Sequence, residues 1–203
     1  ELLKGDPATA FAAARNLADE VPVRIGVLSK AERGFSLSAD LLSKPSKAPP
    51  VELRPDMTVA QGFAAIAQSC LKHFRLNEPL IVQSRDPVAL HQARVAMRRL
   101  RSALSLFRPA VLDTEFPQLR EELRWFTGQL GEARNLDVLL QRDLPERLRR
   151  GIQRDRSKPY DSVKAALLSK RFRLLMIHIV RWISIGQWRS GDRAQRPLPD
   201  YGS

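Results

Sequence analysis

Residues 88–109 read VALHQARVAMRRLRSALSLFRP, directly after Asp86-Pro87. An Asp followed by Pro is a helix start, and Pro109 marks a stop, so the stretch is predicted helical to about Phe107. At about 100° per residue, His91, Arg94, Arg98 and Arg101 fall in one stripe of roughly 80°. Ala93, Leu100, Leu104 and Phe107 centre about 140° away from it. Arg99 lies on the other flank and is a further candidate ligand contact. Between Arg85 and Arg108 there are six arginines and one acid, Asp86. Ion pairs one turn apart within the helix therefore cannot neutralise the stripe. Like charges stacked in this way destabilise a helix unless an anion joins them, and arginine forks match phosphate oxygens two at a time. The pattern points to a polyanionic ligand.

Working outward, the 203 residues carry 34 Lys and Arg against 22 Asp and Glu, a formal net charge of +12. The excess is not uniform. Residues 1–40 hold 5 basic and 6 acidic side chains, leaving 29 against 16 for the remainder. With 43% hydrophobic residues the chain can build a packed core, which excludes wholesale disorder. A single cysteine, Cys70, excludes an intrachain disulfide and any multi-cysteine metal centre. Three separated histidines without a carboxylate cluster offer no zinc site, and no nucleophile triad, phosphate loop or dinucleotide fingerprint is present. The reading therefore assigns no catalytic residue, no metal and no cofactor. The apolar run Leu174–Val180, flanked by Arg173 and Arg181, is too short to span a bilayer, so no membrane insertion is expected.

The segment SKPSKAPP, residues 43–50, is neither helix interior nor strand and reads as a linker over 43–55. Before it, an Ala-rich helix from Pro7 to about Ala18 precedes VPVRIGVLS and GFSLSAD, whose alternation suggests strands of a small α/β piece. After it the pattern is helical. Asp56 or Thr58 caps a helix to about Phe74, extending to Gln83 with a break at Pro79. A third helix carries Leu119, Leu123, Phe126 and Leu130 and ends near Gly128 and Gly131. A fourth covers about Asn135–Arg150 and a fifth Tyr160–Ile185. Residues 189–203 lack periodicity and read as a flexible tail. The expected class is all-α, an antiparallel four-helix bundle over 56–188 with a small N-terminal α/β remnant.

Other basic residues are candidates beside plainer readings. Arg134 and Asp137 first suggest an ion pair bracing their helix, though Arg134 is also a candidate ligand contact. Arg171 and His178, seven apart, could extend the basic surface, though His178 in LLMIHIV reads first as a core histidine. The cluster Arg147, Arg149, Arg150, Arg154 and Arg156 reads as a solvated helix end, and Trp125, Trp182 and Trp188 as packing residues.

The run H-x-x-R-x-x-x-R-R-L-R from His91, followed by LREELRWFTGQLGEARNLDVLL from Leu119, resembles the CHAD family. LGEARNLDV is similar to that family's LGxxRDxDV, with Asn135 where Asp is common. The resemblance covers about residues 56–188. It implies two similar four-helix bundles whose basic, His-containing faces line a groove and bind inorganic polyphosphate, with His91, Arg94, Arg98 and Arg101 facing the ligand. A second bundle is expected beyond Trp188, and its absence from this chain is expected to leave apolar surface that drives either homodimerisation or poor solubility. ELLKGDP from Glu1 and SKAERGFSL from Ser29 resemble the end of a CYTH triphosphate-tunnel domain, with Glu1, Lys4, Lys30 and Arg33 matching its motifs. A parent chain of that kind would hydrolyse triphosphates, while this piece is expected to be non-catalytic. The resemblance further implies a cytoplasmic protein associated with polyphosphate granules. The rival expectation is a helical nucleic-acid-binding domain, against which stands the lack of base-reading Asn and Gln or exposed aromatics on the stripe.

Overall fold

The structure, a computed structural model, describes residues 4–198. Helix α1 (Pro7–Glu20) starts where Asp6 accepts a hydrogen bond from Ala8 N at 2.9 Å and Pro7 occupies the first turn. Helix α2 (Lys30–Ser38) begins in a reciprocal cap: Ser29 Oγ accepts from Glu32 N and the Glu32 carboxylate accepts from Ser29 N. This corrects the expected α/β remnant. GFSLSAD is helical as far as Ser38, and its alternation leaves Phe35 and Leu37 exposed. VPVRIGVLS forms no regular element, and no strand pairs with it among the described residues. Lys30 and Arg33 thus lie on a helix, not on a tunnel strand, and Glu1 lies outside the described residues.

Helix α3 (Val59–Ser84) opens with a second reciprocal cap between Thr58 and Gln61. It continues through Pro79, against the expected break. The residues on both sides of that proline, Asn77, Glu78, Leu80 and Ile81, are buried, so packing outweighs the lost backbone bond. Arg85 turns the chain in a left-handed conformation, φ 52°, and Asp86 caps α4 (Pro87–Leu106) by accepting from Val88 N and Ala89 N at 2.7 and 2.8 Å. The short α5 (Arg108–Val111) leads to α6 (Phe116–Leu140). Neither Gly128 nor Gly131 ends α6, and the fourth helix expected from Asn135 is the continuation of α6 followed by a separate α7 (Glu146–Asp155). The fifth expected helix is divided into α8 (Ser157–Leu168) and α9 (Lys170–Ile185), because Ser169 is extended and its hydroxyl caps Phe172 N at 3.1 Å.

The antiparallel pair α3 and α4 packs with α6, and α8 and α9 close the bundle; α1 lies along α9. One continuous core runs through it. Phe126 is wedged between Phe172 (centroids 4.4 Å apart) and Phe74 (5.4 Å), and Phe63 meets Trp182 and Trp188 edge-on at 5.9 and 5.3 Å. Burying each of these rings removes enough apolar surface to contribute roughly 1.5–3 kcal/mol.

The flexible tail expected from residue 189 is not seen over its described part. A 3₁₀ turn, Gln187–Ser190, buries Trp188, whose Nε1 donates to Trp182 O at 2.9 Å. Helix α10 (Asp192–Gln195) buries Ala194. Val59 N then donates to Arg196 O at 2.8 Å and Leu198 N to Met57 O at 2.9 Å, tying this segment to the start of α3. Residues 199–203 of the expected tail lie outside the described residues.

Candidate functional site

Helix α4 sets the site because its two faces separate as the spacing predicts. Ala93, Ala96, Met97, Leu100 and Leu104 are buried, while Arg94, Arg98 and Arg101 are exposed and His91 is half-buried. Helix α6 runs antiparallel beside it, and contacts between them step regularly along both. Arg101 Nη1 donates to Thr127 Oγ1 at 3.3 Å. Two turns back along α4, the Arg94 guanidinium lies over Gly131, where an added Cβ would stand 2.9 Å from Nη1. A further turn back, His91 meets the field of Arg134.

The electrostatics follow from that register. Burial lowers the His91 pKa, and the charges of Arg134, Arg98 and Arg94 lower it further. The imidazole is therefore neutral near pH 7 and sits among cations from two helices. Among the described residues, no carboxylate oxygen comes within 4.0 Å of a nitrogen of Arg94, Arg98, Arg101 or Arg134. Toward the C-terminal end of α4 the stripe continues into an open groove of about 720 Å³ bordered by Arg98, Arg101, Arg108 and Arg120.

The remaining predicted residues are placed elsewhere. Arg99 faces α3, where its charge lowers the pKa of buried His73. Arg171 forms two hydrogen bonds with Glu122, both 2.9 Å, and its guanidinium lies 3.9 Å from the Trp125 ring centroid. His178 Nε2 is 2.7 Å from Glu115 Oε2, which also accepts from Arg181. Arg171 and His178 share a different groove, between α1, α6 and α9, and each already has a carboxylate. They do not extend the α4 stripe, and His178 is not a core residue either.

The ion pair expected between Arg134 and Asp137 does not form. Asp137 is buried and accepts from Arg156 Nε and Tyr160 Oη, both at 2.7 Å. Arg156, read from sequence as part of a solvated cluster, is thereby a structural residue, and Arg149 closes the end of α6 by donating to Leu140 O and Arg142 O. Gly131, Arg108 and Arg120 were missed. The available signal was the row Arg120, Thr127, Gly131 and Arg134, which shares one face of α6. Among the described residues, no group of three or more His, Cys, Asp or Glu is placed to hold a metal ion, and no helix is long and apolar enough to cross a membrane.

A helical bundle bearing an unneutralised His/Arg face on two adjacent helices defines the class as an all-α bundle with a basic face. The family model of the CHAD domain matches residues 65–202, and the chain belongs to that family. It is similar to the crystal structure of the CHAD domain from the plant Ricinus communis, with 35% identity and a TM-score of 0.64 over 69% of this chain and 50% of that one. The chain thus spans about half the length of that solved relative. No curated protein matches the chain.

Proposed function

We propose that the chain binds inorganic polyphosphate, without catalysis, through His91, Arg94, Arg98 and Arg101 of α4 and Arg134 of α6. The observation carrying this reading is the row of Arg94, Arg98 and Arg101 on α4 beside Arg134 of α6 with no carboxylate among them, a setting that also lowers the His91 pKa after burial. Such a cluster is self-repelling until an anion enters, so anion binding is where its charge becomes favourable. Arginine forks spaced one turn apart suit a flexible chain of phosphates, and the groove beside Arg108 and Arg120 gives that chain a continuation. Membership of the CHAD family supports the same ligand class.

The test is binding of long-chain polyphosphate to the whole chain and to the variant carrying Arg94→Ala, Arg98→Ala and Arg101→Ala. The three side chains are exposed, so helicity should be retained while binding falls by two orders of magnitude or more, at about tenfold per lost charged contact. Unchanged binding would refute the assignment. Mixed-sequence DNA added as competitor at physiological salt tests the nucleic-acid alternative, which would be favoured if DNA displaced polyphosphate.

A further inference from the structure

Away from the α4 stripe, α1, the segment after it, α3, α8 and α9 line a partly open cavity of about 350 Å³. Its walls are apolar: Phe11 and Leu17 from α1, Ile25 from the segment after it, Leu167 from α8, and Phe172 and Met176 from α9. Four charged side chains converge on it. Arg75 donates to Glu78 through Nη1 and to Ile25 O through Nε and Nη2 at 3.2 and 3.0 Å. Arg173 Nε donates to Ala18 O at 2.6 Å, leaving its two terminal nitrogens without a protein acceptor among the described residues. Arg24, 39% exposed, places Nη1 3.4 Å from Glu78 Oε1, close enough for ion pairing but outside good hydrogen-bond geometry. Glu78 Oε1 is buried and has no hydrogen-bond donor.

Three guanidiniums therefore face one carboxylate at a cavity whose other walls are apolar, with Arg24 at its solvent-exposed edge. Arg75 is committed to Glu78 and the backbone, so the uncompensated charge belongs to Arg24 and Arg173. Holding that excess beside apolar walls is unfavourable, and one anionic headgroup with an apolar tail would resolve both mismatches together. A cavity of this size with few convergent polar groups has the character of a small-molecule site. Polyphosphate, lacking an apolar part, would leave the walls wet.

We infer that this cavity binds a medium-chain carboxylate, its acid group between Arg24 and Arg173 and its hydrocarbon tail between α1 and α9. The site is separate from the α4 stripe and independent of the function proposed for it. The test is calorimetric titration of the whole chain with sodium octanoate below its micellar range, beside 1-octanol and octyltrimethylammonium. Octanoate should saturate one site at least about tenfold more tightly than either analogue. Arg24→Gln should weaken octanoate about fivefold or more while leaving octanol unchanged. Met176→Trp, which fills the cavity, should abolish binding. If that variant does not fold, Ala14→Phe, which fills it from α1, gives the same readout. Octanol or the ammonium binding as tightly as octanoate, no saturation up to millimolar concentration, or full binding by a filled variant would each overturn the inference.

Discussion

The Arg94 guanidinium occupies the space that a side chain on Gly131 would need, with an added Cβ standing 2.9 Å from Nη1. The group that would have to yield is the far end of a flexible side chain, not backbone. Glycine in α6 therefore serves the placement of an arginine on the neighbouring helix. Replacing it with alanine should favour α6 by up to about 1 kcal/mol through helix propensity. The same change displaces Arg94. Gly131→Ala is thus expected to raise Tm slightly while weakening polyphosphate several-fold. A variant with unchanged affinity would show that the position of Arg94 is immaterial.

Salt provides a count of the contacts. If each stripe arginine meets a phosphate, each arginine-to-alanine substitution should reduce the slope of log affinity against log salt by up to about one. A series through Arg94, Arg98, Arg101 and Arg134, each measured over a salt range, checks this. The substitution Arg99→Ala should leave the slope intact, since Arg99 faces α3.

Acidity acts through His91. Its folded pKa lies below the ordinary value of 6.5, first through burial and then through Arg134, Arg98 and Arg94. With a depressed histidine, the unfolded chain takes up its proton first as pH falls. Stability of the ligand-free protein should therefore decline below about pH 6.5 and level off once folded His91 is itself charged. Bound phosphates cancel the arginine repulsion and raise the His91 pKa, so polyphosphate should bind more tightly at pH 5.5 than at 7.5, with proton uptake. His91→Gln should flatten that dependence. Imidazole shifts followed by NMR, with and without polyphosphate, check the sign.

Asp137 is a structural carboxylate. Its removal as Asp137→Ala leaves Arg156 and Tyr160 facing an empty, largely buried site, a loss expected to destabilise the fold by about 3–5 kcal/mol. Tyr160→Phe, removing one hydrogen bond, should cost about 1 kcal/mol. Denaturant unfolding measures both. Polyphosphate affinity of whatever remains folded should be unaltered.

The two grooves are separable by mutation. Arg171→Ala and His178→Ala remove groups already paired with Glu122 and Glu115, so each should lower Tm modestly and leave polyphosphate affinity within about twofold. A large loss of affinity in either variant would join the α1–α6–α9 groove to the anion face.

What the sequence disclosed divides along local and non-local lines. Helix α4 was legible because its information is local: Asp86-Pro87 starts it, and one period sorts Leu100 from Arg101. The Ser29–Glu32 cap was also local, yet the alternation of GFSLSAD concealed it; in a segment this short, apolar alternation suits a helix turn as readily as a strand. Gly128 and Gly131 resembled a helix end because glycine is costly inside one. Only the placement of α4 beside α6 shows what Gly131 admits. The same applies to Arg134, whose sequence neighbour Asp137 is held by Arg156, nineteen residues away. Tertiary register decided those partners, and a single helical period does not contain it.

The bonds from Val59 N to Arg196 O and from Leu198 N to Met57 O join the last described turn of the chain to the first turn of the bundle. Because Phe63 also packs against Phe107 at a tilt, 5.6 Å between centroids, this junction lies at the pole where α4 ends. The bundle is in effect a closed ring of helices. Entry to the bundle at Met57 and the last described residues sit side by side near the Arg101–Arg108 end of the stripe, while α1 and α2 precede that entry and α1 lies along α9. In the bundle from Met57 onward, cutting the ring at the exposed loop after α6 and joining Leu198 to Met57 would change the order of the helices along the chain without moving any of them in space.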